Sequence, residues 1–477
     1  MSGVAGTSVQ RGPRDIESLV VKSPVSSVLT YRRPLVRTAV ASGVDLRPAP
    51  TPRFRPDPAR SLAVETNGRK EMLNMRVPAR GAGTAFIATL AITALAACSS
   101  TSTSPSPSAT SSGGAVPQIS ADAFTADFSA MKQLTSLASQ GKGMVGVLLP
   151  DTTTSARYVT FDAPYLKKAF ETAGLDSSKF KIDNAQGSAS TMQTQAEADI
   201  TAGASVLLVD ALDSGSGAAI EAAASARGVK VIDYDRLVKG GAKDRTYVSF
   251  DNVKVGQLIG QGEITCIADW KVTKPNILIM DGDPTDNNAK LFAEGYNGVL
   301  KTHFDNGEYV NVGEPAGTWT PSVAQTTFAQ QYTAHPNINA VVTPNDDNAN
   351  AVIAYLQSKQ IPAKTFPTTG QDASLSGLQN ILKGFQCGTV YKPIYFEAQA
   401  AAAAALYLRA GVTVPSTLVN GKTTDDTAKS DVGSVLLTPL WVTTKNMADT
   451  VVKDGAVTSS SLCISQVKDA CTAAGIQ

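Results

Sequence analysis

Histidine is almost missing from this chain of 477 residues, which has only His303 and His335. Both lie in stretches unlike a catalytic loop, so a Ser–His or Cys–His mechanism lacks its base. Cysteine is scarce too, with Cys98, Cys266, Cys387, Cys463 and Cys471 and no C-x-x-C spacing. With so few histidines, that spacing argues against zinc. No G-x-G-x-x-G follows the first apolar run, and no G-x-x-x-x-G-K-[ST] occurs, so nucleotide binding has no support. A G-x-S-x-G elbow is absent as well. No catalytic residue, metal or cofactor is therefore expected, and the chain is not read as an enzyme.

Net charge is also small, with 42 Lys+Arg against 41 Asp+Glu. The balance is uneven along the chain. Residues 1–98 hold 14 Lys+Arg and 6 Asp+Glu, which leaves 28 against 35 in residues 99–477. The acidic larger part argues against nucleic-acid binding, which needs a basic face. At 43% hydrophobic residues the chain has enough apolar material for a core.

The first hundred residues read as an address. Arg76 and Arg80 precede an uncharged run from Gly81 to Ala97, which Leu95-Ala96-Ala97-Cys98 closes. A positive start, a short apolar stretch and small residues at the end describe a secretory signal over 75–98. The run is shorter than the ~20 apolar residues of a spanning helix. Its ending resembles a bacterial lipobox, in which Cys98 is acylated on sulfur and becomes the new N-terminus; the alternative is a generic signal with a chance cysteine. The Ser/Thr/Pro tract after Cys98 cannot bury apolar area, and residues 99–142 read as tether and lead-in. Residues 1–74 are rich in Arg and Pro without a sustained period, and read as a disordered extension. Met72 or Met75 would give an ordinary start, so this extension is expected to be untranslated; a genuine cytoplasmic extension is the alternative. Export suits the remaining cysteines, an even number with three possible pairings. Cys463 and Cys471 could staple a short tail, leaving Cys266 with Cys387.

From residue 143 onward the pattern is regular. Short apolar runs such as Met144–Leu149, Val206–Val209 and Val229–Ile232 alternate with helical stretches. The rhythm restarts with Asn276–Met280, Tyr309–Val312 and Ala340–Val342. Continuous apolar strands between helices indicate parallel sheets buried on both faces. The expected fold is α/β, with two doubly wound parallel-sheet lobes. Ligands of such sheets sit outside the carboxyl ends of the strands. The loops there are polar: Pro150–Tyr158, Tyr234-Asp235-Arg236, Asp281–Asn288, Trp319, Asn345-Asp346-Asp347 and Gln371-Asp372. Asp-rich loops offer paired carboxylates or a Mg²⁺ site in principle. The same loops and Lys392 nearby mix fixed donors with acceptors, and that mix suits a neutral polyhydroxyl ligand. Tyr158 and Trp319 offer rings for apolar sugar faces. Blander roles stand beside these. Asp235, Asp372 or Asn345 could cap helices. Arg236 could be a surface ion pair, Trp319 core, and Lys392 a solvated strand residue.

Several segments together resemble a known family. They are Asp233-Tyr234-Asp235-Arg236, Tyr247–Gly256, Gly282–Phe292, Gly370-Gln371-Asp372-Ala373, Val390-Tyr391-Lys392-Pro393 and Leu436-Leu437-Thr438-Pro439. The chain is similar to sugar-binding proteins of bacterial ABC importers, the ribose/galactose/xylose class with the LacI-like, type I periplasmic binding fold; its xylose branch is nearest. The resemblance implies two lobes, 143–249 with 393–436 and 250–392 with 437–477, joined by three crossings near Phe250, Tyr391 and Leu437. It implies a monomeric receptor that closes on one monosaccharide, D-xylose, and delivers it to a membrane permease. Such a receptor is exported and touches the membrane only through its lipid.

The resemblance also assigns roles. Arg157 and Tyr158 are hydroxyl donor and stacking ring, and Asp235-Arg236 clamps adjacent hydroxyls. Asn288 is the amide opening the first helix of the second lobe, and Trp319 the opposing ring. Asn345 and Asp372 accept from the second lobe, and Lys392 donates at a crossing. The stretch Thr152-Thr153-Thr154-Ser155 departs from the family's more charged first loop, while Asn345-Asp346 and Tyr391-Lys392-Pro393 favour xylose over multi-sugar receptors. Two other readings use the same body: a sugar sensor for a signalling or chemotaxis system, and a LacI-type transcription regulator. The signal segment and the lack of a helix-turn-helix pattern in 1–74 oppose the second.

Overall fold

A computed structural model of the chain describes residues 116–477, apart from Thr153 and Ala156. The expected extension, signal, Cys98 and the tether through residue 115 lie outside the described residues. The lead-in up to residue 142 is folded from Ile119 onward. Ile119, Phe124, Phe128, Met131 and Leu134 are all buried, and α1 (Thr135–Gln140) continues them.

The first series runs β1 (Met144–Leu149), α2 (Ala163–Thr172), β2 (Phe180–Asn184), α3 (Ala189–Thr201), β3 (Ala204–Val209), α4 (Ser214–Ser225), β4 (Lys230–Tyr234) and β5 (Thr246–Phe250). The second runs α5 (Asn252–Asp269), β6 (Asn276–Ile279), α6 (Asn287–Asp305), β7 (Val310–Gly313), α7 (Pro321–Ala334), β8 (Ala340–Val342), α8 (Asp346–Ser358), α9 (Leu375–Lys383) and β9 (Thr389–Tyr391). Then follow α10 (Ile394–Arg409), the hairpin β10 (Gly421–Asp425) and β11 (Ser430–Leu437), and β12 (Leu440–Val442). Polar caps start many of these helices. Ser188, Asp213, Asp251 and Asn345 each accept from a backbone N–H three residues on, which satisfies an otherwise orphaned donor.

The strands form two doubly wound sheets. The first has the order β10-β11-β5-β4-β3-β1-β2, parallel except for the edge hairpin. The second joins β7-β6-β8 in parallel, and bridges Val341–Thr368 and Gln371–Val390 carry it on to β9 and β12. Helix α10 packs on β1, β3, β4 and β5 of the first sheet, with α1 and α2 beside it. Its run Ala400–Ala405 is wholly buried, since a helix apolar all round has no solvent face. Three passes link the two sheets. Two run side by side, the Asp251 N–H donating to the Leu437 carbonyl at 2.9 Å. The third leaves β9 through Lys392 and Pro393 into α10.

Within the second lobe, α5 and α6 cross backbone to backbone. A Cβ on Gly256 would strike the Phe292 carbonyl, and one on Gly295 the Val253 carbonyl, so only glycine permits the approach. Cys266 of α5 is bonded to Cys387 just before β9, and Cys463 to Cys471 in the C-terminal tail. Among the described residues no helix is long and apolar enough to cross a membrane.

A buried carboxyl interrupts the apolar packing of α5. Glu263 of α5 is fully buried, and neither carboxyl oxygen has a partner among the described residues. Burial pushes its pKa well above the usual carboxylate value, so the fold keeps it protonated. A raised acid stabilises the fold below its unfolded pKa, about 4.3, and that stability is lost as pH rises above it. The slope is about 1.4 kcal/mol per pH unit. Glu263→Met is expected to remove this decline and to be more stable than wild type at pH 7, as denaturant unfolding at pH 5 and pH 8 would show. An unchanged pH slope would contradict it.

Candidate functional site

The turn after β4 is the centre of the site. Asp235 has φ of 59°, a left-handed conformation that Asp tolerates better than most residues. Its N–H donates to the Val248 carbonyl at 2.9 Å, which ties the turn to β5. Its own carbonyl accepts from Ser249 Oγ at 2.8 Å, Tyr247 OH at 3.0 Å and Asn288 Nδ2 at 3.0 Å. Asn252 Nδ2 in turn donates to Asn288 Oδ1 at 2.9 Å. The backbone of one lobe thus orients an amide from the other.

The Asp235 carboxylate is surrounded by cations. Arg157 Nη1 donates to Oδ1 at 3.0 Å, and Lys392 Nζ lies 3.6 Å from the same oxygen. Tyr158 OH donates to Oδ2 at 3.3 Å. Burial raises the carboxyl's pKa, yet Arg157, Lys392 and Arg236 overcome it and hold the group below the usual carboxylate range. Asp235 therefore stays an ionised acceptor.

Arg236 is no surface ion pair. It is buried, with Nε 3.2 Å from Asp286 and 3.4 Å from Asp210, and Nη2 donating to Tyr158 OH at 2.8 Å. Asp286 caps α6 and also accepts from Trp319 Nε1 at 3.1 Å. Burial pushes Asp286 and Asp210 upward, and the Arg236 guanidinium opposes both shifts. Trp319 lies edge-on to Phe292, ring centroids 6.4 Å apart, and its ring covers Gly282, where a Cβ would collide with it. Asp372, at φ 94°, accepts from Gln371 Nε2 at 2.7 Å and from Ser155 Oγ at 3.4 Å. Burial raises its pKa while Lys392, 3.9 Å away, pulls it down.

All nine residues singled out in the sequence line one cavity between the two sheets: Arg157, Tyr158, Asp235, Arg236, Asn288, Trp319, Asn345, Asp372 and Lys392. Side chains fill most of it and leave a cavity of about 30 Å³, and Thr154, Ser155, Asp286, Phe292 and Gln371 complete the wall. The strained backbone at Asp235 and Asp372 is of the kind that concentrates at functional sites. Among the described residues no group of three or more His, Cys, Asp or Glu is placed to hold a metal ion.

Some expected roles change. Asn288 is the second residue of α6, whereas α5 is the first helix of that lobe. Tyr158 is less a free ring than a hydroxyl in a network, because the guanidinium carbons of Arg157 and Arg236 lie 5.3 and 5.7 Å from its ring centroid. Asn345 does cap α8, its side chain accepting from the Asn348 N–H at 2.9 Å, while lining the cavity. Asp235 and Asp372 cap no helix. Sequence reasoning missed Asp286 and Phe292 although both stand in the segment Gly282–Phe292. Their signal was position, at and just inside the start of a helix whose N-terminus faces the cleft.

The pattern of the family described as "periplasmic binding protein domain" matches residues 145–412. The chain belongs to the periplasmic binding protein family. It is 36% identical over 302 residues to the D-xylose-binding periplasmic protein of Escherichia coli, covering 62% of this chain and 86% of that protein. A multiple sugar-binding periplasmic protein of Azospirillum brasilense is 30% identical over 336 residues, 68% of this chain and 92% of that one. Among solved structures, a carbohydrate transporter solute-binding protein of Chloroflexus aurantiacus in complex with D-glucose superposes with a TM-score of 0.59 at 26% identity, over 67% of this chain and 98% of its own. The relatives are binding proteins, not enzymes, and the two-sheet architecture is that of the type I periplasmic binding fold.

Removing the Asp235 carboxylate would leave Arg157 and Lys392 facing each other without it. Asp235→Ala is expected to cost about 3–5 kcal/mol, the scale for breaking a buried ion pair from one side. A depressed carboxylate contributes stability above its unfolded pKa of about 3.9, and that contribution is lost as pH falls below it. Urea unfolding of Asp235→Ala should therefore show a smaller loss on acidification below about pH 4 than wild type does. Equal acid slopes would contradict the assignment.

Proposed function

We propose that this periplasmic binding protein captures a monosaccharide, D-xylose, in the cavity between its lobes and delivers it to the permease of an ABC importer. The observation that carries the reading is the convergence of nine side chains, from loops far apart in sequence, on one buried polar cavity. Fixed acceptors (Asp235, Asp372) alternate there with fixed donors (Arg236, Lys392) and amides (Asn288, Asn345). A sugar hydroxyl both donates and accepts, so such a wall can satisfy several hydroxyls at once. The Trp319 and Phe292 rings suit the apolar C–H faces. The xylose-binding and multiple-sugar-binding names of the relatives point the same way.

The energetics fit a closed cleft. Micromolar binding needs about −8.2 kcal/mol. A pentose has roughly ten heavy atoms, and the best small ligands reach about −1.5 kcal/mol per atom. Half that ceiling is attainable only if the ligand is largely enclosed, which requires the lobes to close by the hinge passes. In the same reading the receptor is an exported monomer held to the outer face of the cytoplasmic membrane by lipid on Cys98. Cys98→Ser would then shift the protein from the membrane to the soluble fraction.

Calorimetry of the purified chain with D-xylose, D-glucose, D-ribose, L-arabinose and D-galactose tests the central part. A saturable response, strongest for D-xylose, is expected. Arg236→Ala and Trp319→Ala should each weaken it at least about a hundredfold, since each removes contacts worth about 3 kcal/mol. No response to any of the five sugars would sink the reading.

A further inference from the structure

We propose that Glu397 and Asp162 decide which hydrogen of Arg157 faces the cavity, and so act as positioning residues that set the preference among sugar epimers. This rests on the sugar site proposed above.

Arginine carries five N–H donors in a rigid plane. Four of those on Arg157 are taken by the protein. Asp162 receives Nε at 3.0 Å and Nη2 at 2.8 Å, a two-pronged grip. Glu397 receives Nη2 at 2.8 Å, and Asp235 receives Nη1 at 3.0 Å. One Nη1 hydrogen is left, and because the group is planar its direction is fixed by the other four. Asp162 is itself held, accepting from Tyr234 OH at 2.6 Å.

Among the described residues the Glu397 side chain makes no other hydrogen bond. It is fully buried in the first turn of α10, and Oε1 has no partner among the described residues. The groups acting on it or feeling its charge are Arg157 and Asp162 at the two ends of the turn before α2, Tyr234 and Asp235 at the end of β4, Tyr247 of β5, and Lys392 just before α10. Burying a carboxyl there is costly unless a specific bond is obtained in return, and the bond obtained is the one to Nη2. Epimers differ in the direction of one hydroxyl. A single fixed donor accepts one direction and leaves a buried group unpaired for the other, which is how polar sites discriminate strongly.

The test measures the affinity of the full-length chain for D-xylose, its C4 epimer L-arabinose and its C3 epimer D-ribose. Glu397→Gln keeps a carbonyl for Nη2, and is expected to hold the preferred sugar within about threefold with the same order of preference. Glu397→Leu removes the acceptor. It should weaken the preferred sugar about tenfold and the other epimers less, so the preference ratio narrows. A uniform fall for all three sugars, an unchanged ratio, or a ratio lost equally in Glu397→Gln would overturn the proposal. If Glu397→Leu does not fold, Asp162→Asn takes its place: a narrowed ratio supports positioning, and an unchanged one overturns it. Wild-type protein that binds none of the three pentoses overturns this inference, and only silence towards D-glucose and D-galactose as well overturns the site it rests on.

Discussion

Everything in the site is built outward from one ionised carboxylate. Asp235 sits in a left-handed turn at the end of a central strand, and its side chain gathers Arg157, Tyr158 and Lys392. Its carbonyl gathers Ser249, Tyr247 and Asn288. Those partners come from the first sheet, the third pass between the lobes, and the second lobe. A single residue therefore fixes donors and amides on both sides of the cleft before any ligand arrives. Such preorganisation lowers the cost of binding, because the ligand need not order the groups that hold it.

The constraint has a charge side as well. Three cations, Arg157, Arg236 and Lys392, stand among Asp162, Asp210, Asp235, Asp286, Asp372 and Glu397. Not all of these carboxyls can ionise together in a buried setting. Asp235 pairs with both Arg157 and Lys392, feels Arg236 as well, and is driven down, while burial pushes Asp210, Asp286 and Asp372 up and Glu397 up to about 8. The outcome is a site in which cations and carboxyls stand against one another in a dense set of directional hydrogen bonds. That suits a neutral polyhydroxyl ligand, whose hydroxyls both donate and accept.

Much of this was legible in the sequence, for identifiable reasons. Parallel strands buried on both faces read as apolar runs, so β1, β3, β4, β6 and β8 stood out. Helices with polar starts and apolar periods did as well. The edge hairpin did not: β10 is Gly-Lys-Thr-Thr-Asp, half-exposed, with no apolar run. Helix α9 was lost between two loops that carry site residues, and the core role of residues 119–134 was hidden by the low-complexity tract before them. In the site, residues that would touch a ligand were readable because they stand in polar loops after strands. Asp162 and Glu397 were not, because they act through Arg157 from helical positions that carry no motif. Tyr158 was read as a ring, and its network role depends on two arginines whose approach only the fold reveals.

The most direct test of the account is a crystal structure of the chain grown with D-xylose. One sugar is expected between the lobes, with ring hydroxyls at hydrogen-bond distance, about 2.6–3.2 Å, from Asp235, Arg236 and Asn288 and an apolar face against Trp319. A sugar bound anywhere else, or a cleft in which Asp235 makes no contact with it, would contradict the account.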